Sequence, residues 1–293
     1  TIITGATSML GIATIKSLVE RNIEVVAISR KGSRRRDKLP VSELITFIEA
    51  DLSELNTIEL PSGEYDVFYH FGWANTDKVS RNNPELQNEN VQYTLDAIKL
   101  AHKFGCKKFL FAGSQAEYGV CNEKITVDTP VNPQVAYGIC KYAAEKLGKL
   151  ECDSLGMVFI GCRIFSVYGA NDSENSMISY ALKQFKKGEI AKFSAGTQMW
   201  NYLHEKDAGE IFALLGDKCE ESKIYLVAHP ESKQLKEYIK DIKSVLGEAF
   251  QCTLAEEPTL NIVSLNVDAS LLYEDVEGID TVSFRDGFNK VLR

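Results

Sequence analysis

The chain opens with TIITGATSMLG (residues 1–11): four β-branched residues, a glycine, and a helical pattern that starts at Met9. A β-branched run that passes through glycine into a helix is a strand–turn–helix unit. Gly5 permits the sharp turn, and Gly11 lets the helix pack close to the strand. The first helical N–H groups, those of Met9 and Leu10, stay free for an anion. Ser8 stands where a pyrophosphate-binding turn of this kind carries its middle glycine. Two readings therefore stay open, a plain structural turn or a turn that cradles a dinucleotide. In the second, Ser8 is either tolerated in a slightly wider loop or adds a hydroxyl toward a phosphate.

Working outward from this turn, the pattern repeats. Strands are expected at Ile2–Thr4, Glu24–Ser29, Ile45–Ala50, Val67–Phe71, Lys108–Ala112 and Val158–Arg163, with helices at about 9–21, 86–104 and 136–154 between them. Strands alternating with helices predict right-handed crossovers and a doubly wound parallel α/β sheet. After about residue 165 the alternation breaks into helical patterns near 176–188, 205–215 and 233–247, with a strand at Ile224–Ala228. At 293 residues the chain is long for one compact unit. The expectation is a sheet domain of residues 1–165 plus about 197–228, and a smaller, discontinuous α/β lobe of about 166–196 and 229–293.

Composition excludes several classes. Hydrophobic residues are 44% and charged residues 25% of the chain, the balance of an ordinary globular protein. A formal net charge of −8 argues against nucleic acid as a partner, since phosphate neutralisation needs a basic face. No run approaches the roughly 18 apolar residues of a membrane span, and no basic-then-apolar leader opens the sequence. A cytoplasmic location with no membrane partner is the expectation. The seven cysteines (106, 121, 140, 152, 162, 219 and 252) form no CxxC pair and no Cys/His group, which predicts reduced thiols and no metal site.

The one basic run, RKGSRRRDK (residues 30–38), follows the second strand. A carboxylate at that strand end would accept hydrogen bonds from the adenosine ribose of NAD. Ser29, Arg30, Lys31 and Arg34 suit the 2′-phosphate of NADP instead, whereas Arg35, Arg36 and Lys38 read as a solvated loop. Asp51, at the end of the third strand, either meets an adenine amino group or caps the next turn. Gly72 in YHFGW (residues 69–73) offers bare backbone to a cofactor, and His70 reads as a core histidine.

YGICKYAAEKL (residues 137–147) places Tyr137 and Lys141 one helical turn apart, hence on one face. A neighbouring ammonium and a nicotinium ring favour the phenolate, lowering a pKa that is ordinarily about 10. Upstream, FAGSQAEYG (residues 111–119) ends its strand on Ser114, whose hydroxyl can orient a substrate oxygen.

TGATSMLG, ADLS, YHFGW, GSQAEYG, YGICK, CRIFSVYG, NYLHEKDAGEI and SFRDGFNKV follow one another along the chain. In that order and spacing the sequence resembles, almost end to end, the extended short-chain dehydrogenase/reductase superfamily in its NAD(P)-dependent nucleotide-sugar epimerase/dehydratase branch. The resemblance implies a Rossmann-type sheet with a sugar-nucleotide lobe after about residue 165. It implies Tyr137 as the acid/base, Lys141 bound to the nicotinamide ribose and Ser114 on the substrate oxygen. The cofactor cleft it implies takes in Gly5, Thr7, Ser8, Met9, Leu10, Gly11, Ser29, Arg30, Lys31, Asp51, Leu52, Phe71, Gly72, Trp73 and Phe165, besides Tyr137 and Lys141. A homodimer is also implied, in which the stretches 86–104 and 136–154 of two copies form a four-helix bundle.

Departures from the family pattern narrow the chemistry. Its 4,6-dehydratases carry Thr-Asp-Glu where this chain has Ser114-Gln115-Ala116, so the carboxyls that drive sugar dehydration are absent. On the substrate side, Gln115, Ser166, Trp200 and Asn201 are the candidate contacts. Ser166 replaces a frequent asparagine, and Trp200-Asn201 replaces an Arg-Asp pair whose arginine serves the substrate diphosphate. Trp200 either stacks on a base or sugar or belongs to the lobe's core. A Ser-Tyr-Lys site without extra carboxyls suits NADPH-dependent reduction of a nucleotide-linked 4-keto-6-deoxysugar, which the basic loop favours. The alternatives are NAD-dependent 4-epimerisation of a nucleotide sugar and a non-catalytic NADP-sensing role.

Overall fold

A computed structural model of the protein describes residues 1–174, 176–257 and 263–292. The first half of the chain runs β1 (Ile2–Thr4), α1 (Met9–Glu20), β2 (Val25–Ser29), β3 (Ile45–Glu49), β4 (Val67–His70), α2 (Pro84–Lys103), β5 (Lys108–Ser114), α3 (Ala136–Ser154) and β6 (Val158–Ile164). The second half begins β7 (Ser166–Tyr168), α4 (Met177–Lys187), β8 (Ala191–Phe193), β9 (Met199–Trp200), β10 (Tyr202–His204) and α5 (Glu205–Lys218). It continues β11 (Lys223–Val227), β12 (Lys233–Gln234), α6 (Leu235–Leu246), β13 (Cys252–Leu254), α7 (Ser270–Asp275) and α8 (Phe284–Val291).

Seven of these strands form one sheet in the order β3-β2-β1-β4-β5-β6-β11, with every pairing parallel. Period-two alternation divides their side chains between two faces. Ile2, Phe68, Phe109 and Phe111 pack against α2 and α3, whereas Ile3, Tyr69 and Leu110 pack against α1 and α5. With both faces covered, the strands read as nearly continuous apolar runs rather than as alternating ones. The strand order reverses between β1 and β4, and the carboxyl ends there open the crevice in which such sheets bind ligands.

β5 ends on Ser114, as FAGSQAEYG predicts, two residues beyond the apolar run that stops at Ala112. Its pairing with β6 continues through Gly113 and Ser114, opposite Arg163 and Ile164. Ser114 is thereby the last residue of a central strand, held at the crevice by ladder hydrogen bonds.

Past β6 lie three two-stranded sheets: β7 with β10, β8 with β13, and β9 with β12. A separate apolar cluster fills this region, built from Tyr168, Ile178, Ala181, Tyr202, Tyr238, Ile239, Phe250, Phe284 and Phe288. Its rings interlock, with Tyr202 and Tyr238 at 5.0 Å and Tyr238 and Phe284 at 4.8 Å in edge-on contact. Its boundary departs from expectation at α7, whose Leu272, together with Val276, packs into the core under the parallel sheet. Among the described residues no helix is long and apolar enough to cross a membrane. Five of the seven cysteines (Cys106, Cys140, Cys152, Cys162 and Cys219) are buried, and no two are bonded.

Candidate active site

The first turn is built by glycine and hydroxyls. Gly5 has φ of +66°, and a Cβ there would stand 2.7 Å from the Gly72 nitrogen. A Cβ on Gly11 would overlap the carbonyls of Gly5 and Ala6. These are the two places where the backbone must come close. Ser8 is the N-cap of α1, and its Oγ accepts the Gly11 N–H at 3.0 Å. Among the described residues the N–H groups of Met9 and Leu10 have no acceptor, so they point outward from the helix end. Thr7 Oγ1 lies 2.7 Å from Ser29 Oγ and accepts from Ser33 Oγ at 2.8 Å, which ties the turn to the end of β2. This cradle of bare backbone and free N–H groups fits a pyrophosphate.

Beyond Ser29 the cations are exposed. Arg30 and Arg34 point into solvent, and Lys31 lies 3.9 Å from Glu54. No carboxylate ends β2. Arg36 stacks on Phe47 at 4.1 Å, and Arg35 donates to the Asn171 carbonyl at 3.1 Å. These two are therefore anchored rather than simply solvated.

Asp51 forms a capping box, accepting the Ser53 N–H at 3.2 Å while Glu54 accepts the Asp51 N–H at 2.7 Å. Leu52 packs beside Gly72, where a Cβ would meet its Cδ2 at 2.6 Å. The side chains of Phe71 and Phe165 are in apolar cores, Phe71 edge-on to Phe212 at 4.8 Å. Both side chains are buried. His70 is buried, with Nδ1 2.8 Å from Thr4 Oγ1, and burial pushes its pKa down to about 3. It is the neutral core histidine that the sequence predicts.

Ser114, Tyr137 and Lys141 converge at the carboxyl end of β5. Lys141 Nζ donates to the Ala112 carbonyl at 2.5 Å and sits 3.8 Å over the Trp73 ring. Burial pushes its pKa down to about 7, against the opposing pull of Glu117. Tyr137 lies edge-on to Trp73 at 5.9 Å, and its pKa is raised, first by burial. The expected lowering by Lys141 is therefore not the leading effect, because its ammonium is 5.8 Å from the ring centroid and turned to a carbonyl. What favours the phenolate is Arg81, stacked 4.0 Å over the Tyr137 ring, and then the Ser114 hydroxyl. Trp73 is fixed in turn by its indole N–H, donated to Gln87 Oε1 at 2.9 Å.

Beneath Ser114 is a buried ionic cluster that motif reading did not weigh. Glu117 Oε1 accepts the Ser114 N–H at 2.7 Å, and its Oε2 lies 3.0 Å from Arg163 Nε. That Nε–H is directed at Glu145, which also takes the second arm of Arg163 at 2.7 Å, while Arg163 Nη1 donates to the Tyr118 hydroxyl. Glu117 thus shares one guanidinium with a second carboxylate. Burial and Glu145 together push its pKa up to about 8. The signal was in the sequence, as the glutamate of GSQAEYG, but only the fold brings it to Arg163. Arg81 had no such local signal.

The substrate candidates divide. Gln115 and Ser166 are half-buried at the carboxyl ends of β5 and β6. Trp200 packs against two apolar clusters, 6.3 Å from Tyr202, and among the described residues its buried indole N–H has no hydrogen-bond partner. Asn201 does not face the crevice. It is fully buried, donates to the His229 and Glu231 carbonyls and to Ser232, and accepts the His229 N–H. Its amide holds the 229–232 turn, which corrects its expected contact with substrate. A separate cavity lined by Lys218, Cys219, Tyr225 and Asp275 lies at the amino end of β11, away from this chemistry.

Residues 1–228 match the model of the NAD dependent epimerase/dehydratase family. The chain belongs to this family, an enzyme family of the extended short-chain dehydrogenase/reductase type. It is 22% identical to a UDP-glucose 4-epimerase of Corynebacterium glutamicum, over 87% of this chain and 82% of that protein. It is 23% identical to a dTDP-4-dehydro-6-deoxyglucose reductase of Escherichia coli, over 100% of this chain and 96% of that one. Its fold is similar to that of a UDP-N-acetylglucosamine 4-epimerase from Methanobrevibacter ruminantium, solved with UDP-N-acetylmuramic acid. That match has a TM-score of 0.87 at 21% identity and covers 99% of this chain and 96% of the other.

Proposed function

We propose that the protein is an NADPH-dependent reductase of a nucleotide-linked 4-keto-6-deoxysugar. The observation that carries this reading is the end of β2, where Ser29 and Arg30 stand in place of a carboxylate. A guanidinium there complements a 2′-phosphate and offers no acceptor to the hydroxyl protons of a ribose diol. Gly5, Gly11 and the free N–H groups of Met9 and Leu10 would hold the pyrophosphate. Arg30, with Lys31, would hold the 2′-phosphate, and Lys141 the nicotinamide ribose. When bound, the nicotinamide supplies the hydride.

The chain's own residues handle the proton. Ser114, fixed by Glu117 and by its place at the end of β5, orients the substrate carbonyl. Tyr137, kept protonated by burial, donates its hydroxyl proton to that oxygen. Gln115 and Ala116 supply no second acid or base, so dehydration is outside this reading. Residues of about 166–196 and 229–293, apart from the segment around α7, serve as the substrate lobe. The exposed apolar residues Ile139, Leu147 and Leu150 on α3 serve a homodimer contact.

The test is cofactor oxidation with nucleotide-linked 4-keto-6-deoxysugars. Turnover is expected with NADPH and not with NADH, and Arg30→Asp is expected to reverse the preference. Equal affinity for the two cofactors in calorimetry would overturn the assignment.

The names of several relatives favour a second reading, 4-epimerisation with tightly held NAD. Its signature would be NAD that survives dialysis, with interconversion of two nucleotide sugars and no net cofactor consumption.

A further inference from the structure

We propose that Arg81 is a positioning residue for Tyr137, a permanent cation that favours ionisation of the phenol from across the crevice mouth. This rests on the reading of Tyr137 as the proton-transfer residue.

The Arg81 guanidinium carbon lies 4.0 Å from the centre of the Tyr137 ring. Among the described residues its side chain has no hydrogen bond and no ion pair, so no carboxylate neutralises it. Its backbone is nonetheless held on several sides. The Arg81 N–H donates to the Asp77 carbonyl at 3.0 Å, and the fully buried Gln87 donates to the carbonyls of Asn75 and Ser80. Asn82 Oδ1 accepts the N–H of Ala136, the residue before Tyr137, at 3.2 Å. The turn that carries Arg81 is thus tied to the helix end that carries Tyr137, and the stacking follows from that tie.

Among the described residues three charged groups face the phenol. Lys141 lies on the same helix, Glu117 on the turn after β5, and Arg81 on the turn before α2, with the Ser114 hydroxyl and the uncharged Trp73 edge between them. Glu117 shares Arg163 with Glu145 at the rear of the site. Lys141 titrates near neutrality, because burial draws its pKa to about 7. A guanidinium keeps its charge throughout the working range. Arg81 is therefore the cation that still stands at Tyr137 when Lys141 begins to lose its proton. A cation over the ring attracts the neutral π-face weakly and the phenolate strongly, which biases the equilibrium toward ionisation.

The test uses the full chain with Arg81→Gln and Arg81→Lys. In the alcohol-oxidising direction, which needs the phenolate, the acidic limb of kcat/KM is expected to move up by about one pH unit in Arg81→Gln. Arg81→Lys is expected to restore at least part of it. A second readout needs no substrate: tyrosinate absorbance during alkaline titration, taken as the difference between each protein and its Tyr137→Phe counterpart. The Tyr137 signal is expected at higher pH in Arg81→Gln. An unmoved limb together with an unmoved titration would overturn the proposal, as would a rise in KM alone, which would make Arg81 a substrate contact. If Arg81→Gln fails to fold, Arg81→Lys and Arg81→Met carry the same titration. If no keto sugar turns over, the proposed reaction fails while the absorbance titration still decides on Arg81.

Discussion

Ser8 caps its own helix. The position that usually carries a phosphate-binding glycine here satisfies the Gly11 N–H, which leaves Met9 and Leu10 as the free donors. Ser8→Ala is expected to cost about 1 kcal/mol and Ser8→Gly a few tenths, measured by urea denaturation. NADPH affinity of Ser8→Gly should match the parent in calorimetry if the hydroxyl serves only the helix. Tyr137→Phe should cut turnover by about 10²–10⁴-fold with cofactor affinity retained; activity near the parent's would move the proton role elsewhere. At this scale the sequence was informative wherever spacing alone brings groups together, as for Tyr137 and Lys141. It was silent where the partner comes from a distant element. Arg81 reaches Tyr137 across 56 positions (137 − 81), and Glu117 reaches Arg163 across 46 (163 − 117). No periodicity records such a meeting. Asn201 failed for the complementary reason, since a polar residue in a family motif looks available until its burial is known.

α3 does two jobs on two faces. Tyr137 and Lys141 look into the crevice, while Ile139, Leu147 and Leu150 lie exposed, with Leu150 at 65%. An apolar stripe beside the long helix α2 is a natural contact for a second copy. Leu150→Glu combined with Ile139→Glu should give a monomer by light scattering, with the sheet intact by circular dichroism; an unchanged mass would remove this helix from the interface. Elements of the first half were legible because long apolar runs and amphipathic helices carry strong periodic signals. The small sheets were not, since β7 to β10, β12 and β13 are two or three residues long and too short to display a period.

Across the whole molecule most charges are exposed, but among the described residues Glu117, Lys141, Glu145 and Arg163 are buried together under the site, where solvent screens them little. Glu117 titrates near 8 in the folded chain against an ordinary value of about 4.5. The folded state then holds more protons than the unfolded state between those values, so this group's contribution to stability falls as pH rises through them. In a comparison of the parent with Glu117→Gln, the difference in stability should change between about pH 5 and pH 8 and be flat below that window. A parallel pair of curves would show that Glu117 is ionised throughout. Glu145→Gln leaves Glu117 as the one carboxylate beside Arg163 and should destabilise by less than the about 3–5 kcal/mol of breaking a buried pair outright.

The distribution of sulfur adds a last consequence. Burial pushes the thiols of Cys106 and Cys152 up to about 12, and Cys140, Cys162 and Cys219 are also raised. Thiolate, the reactive form, is scarce at every one of these positions. Cys121 and Cys252 are the partly exposed pair. An alkylating reagent should therefore label two sulfurs quickly and the other five only when the sheet half breathes open. The slow labelling would time the opening of the cofactor half with no engineered probe.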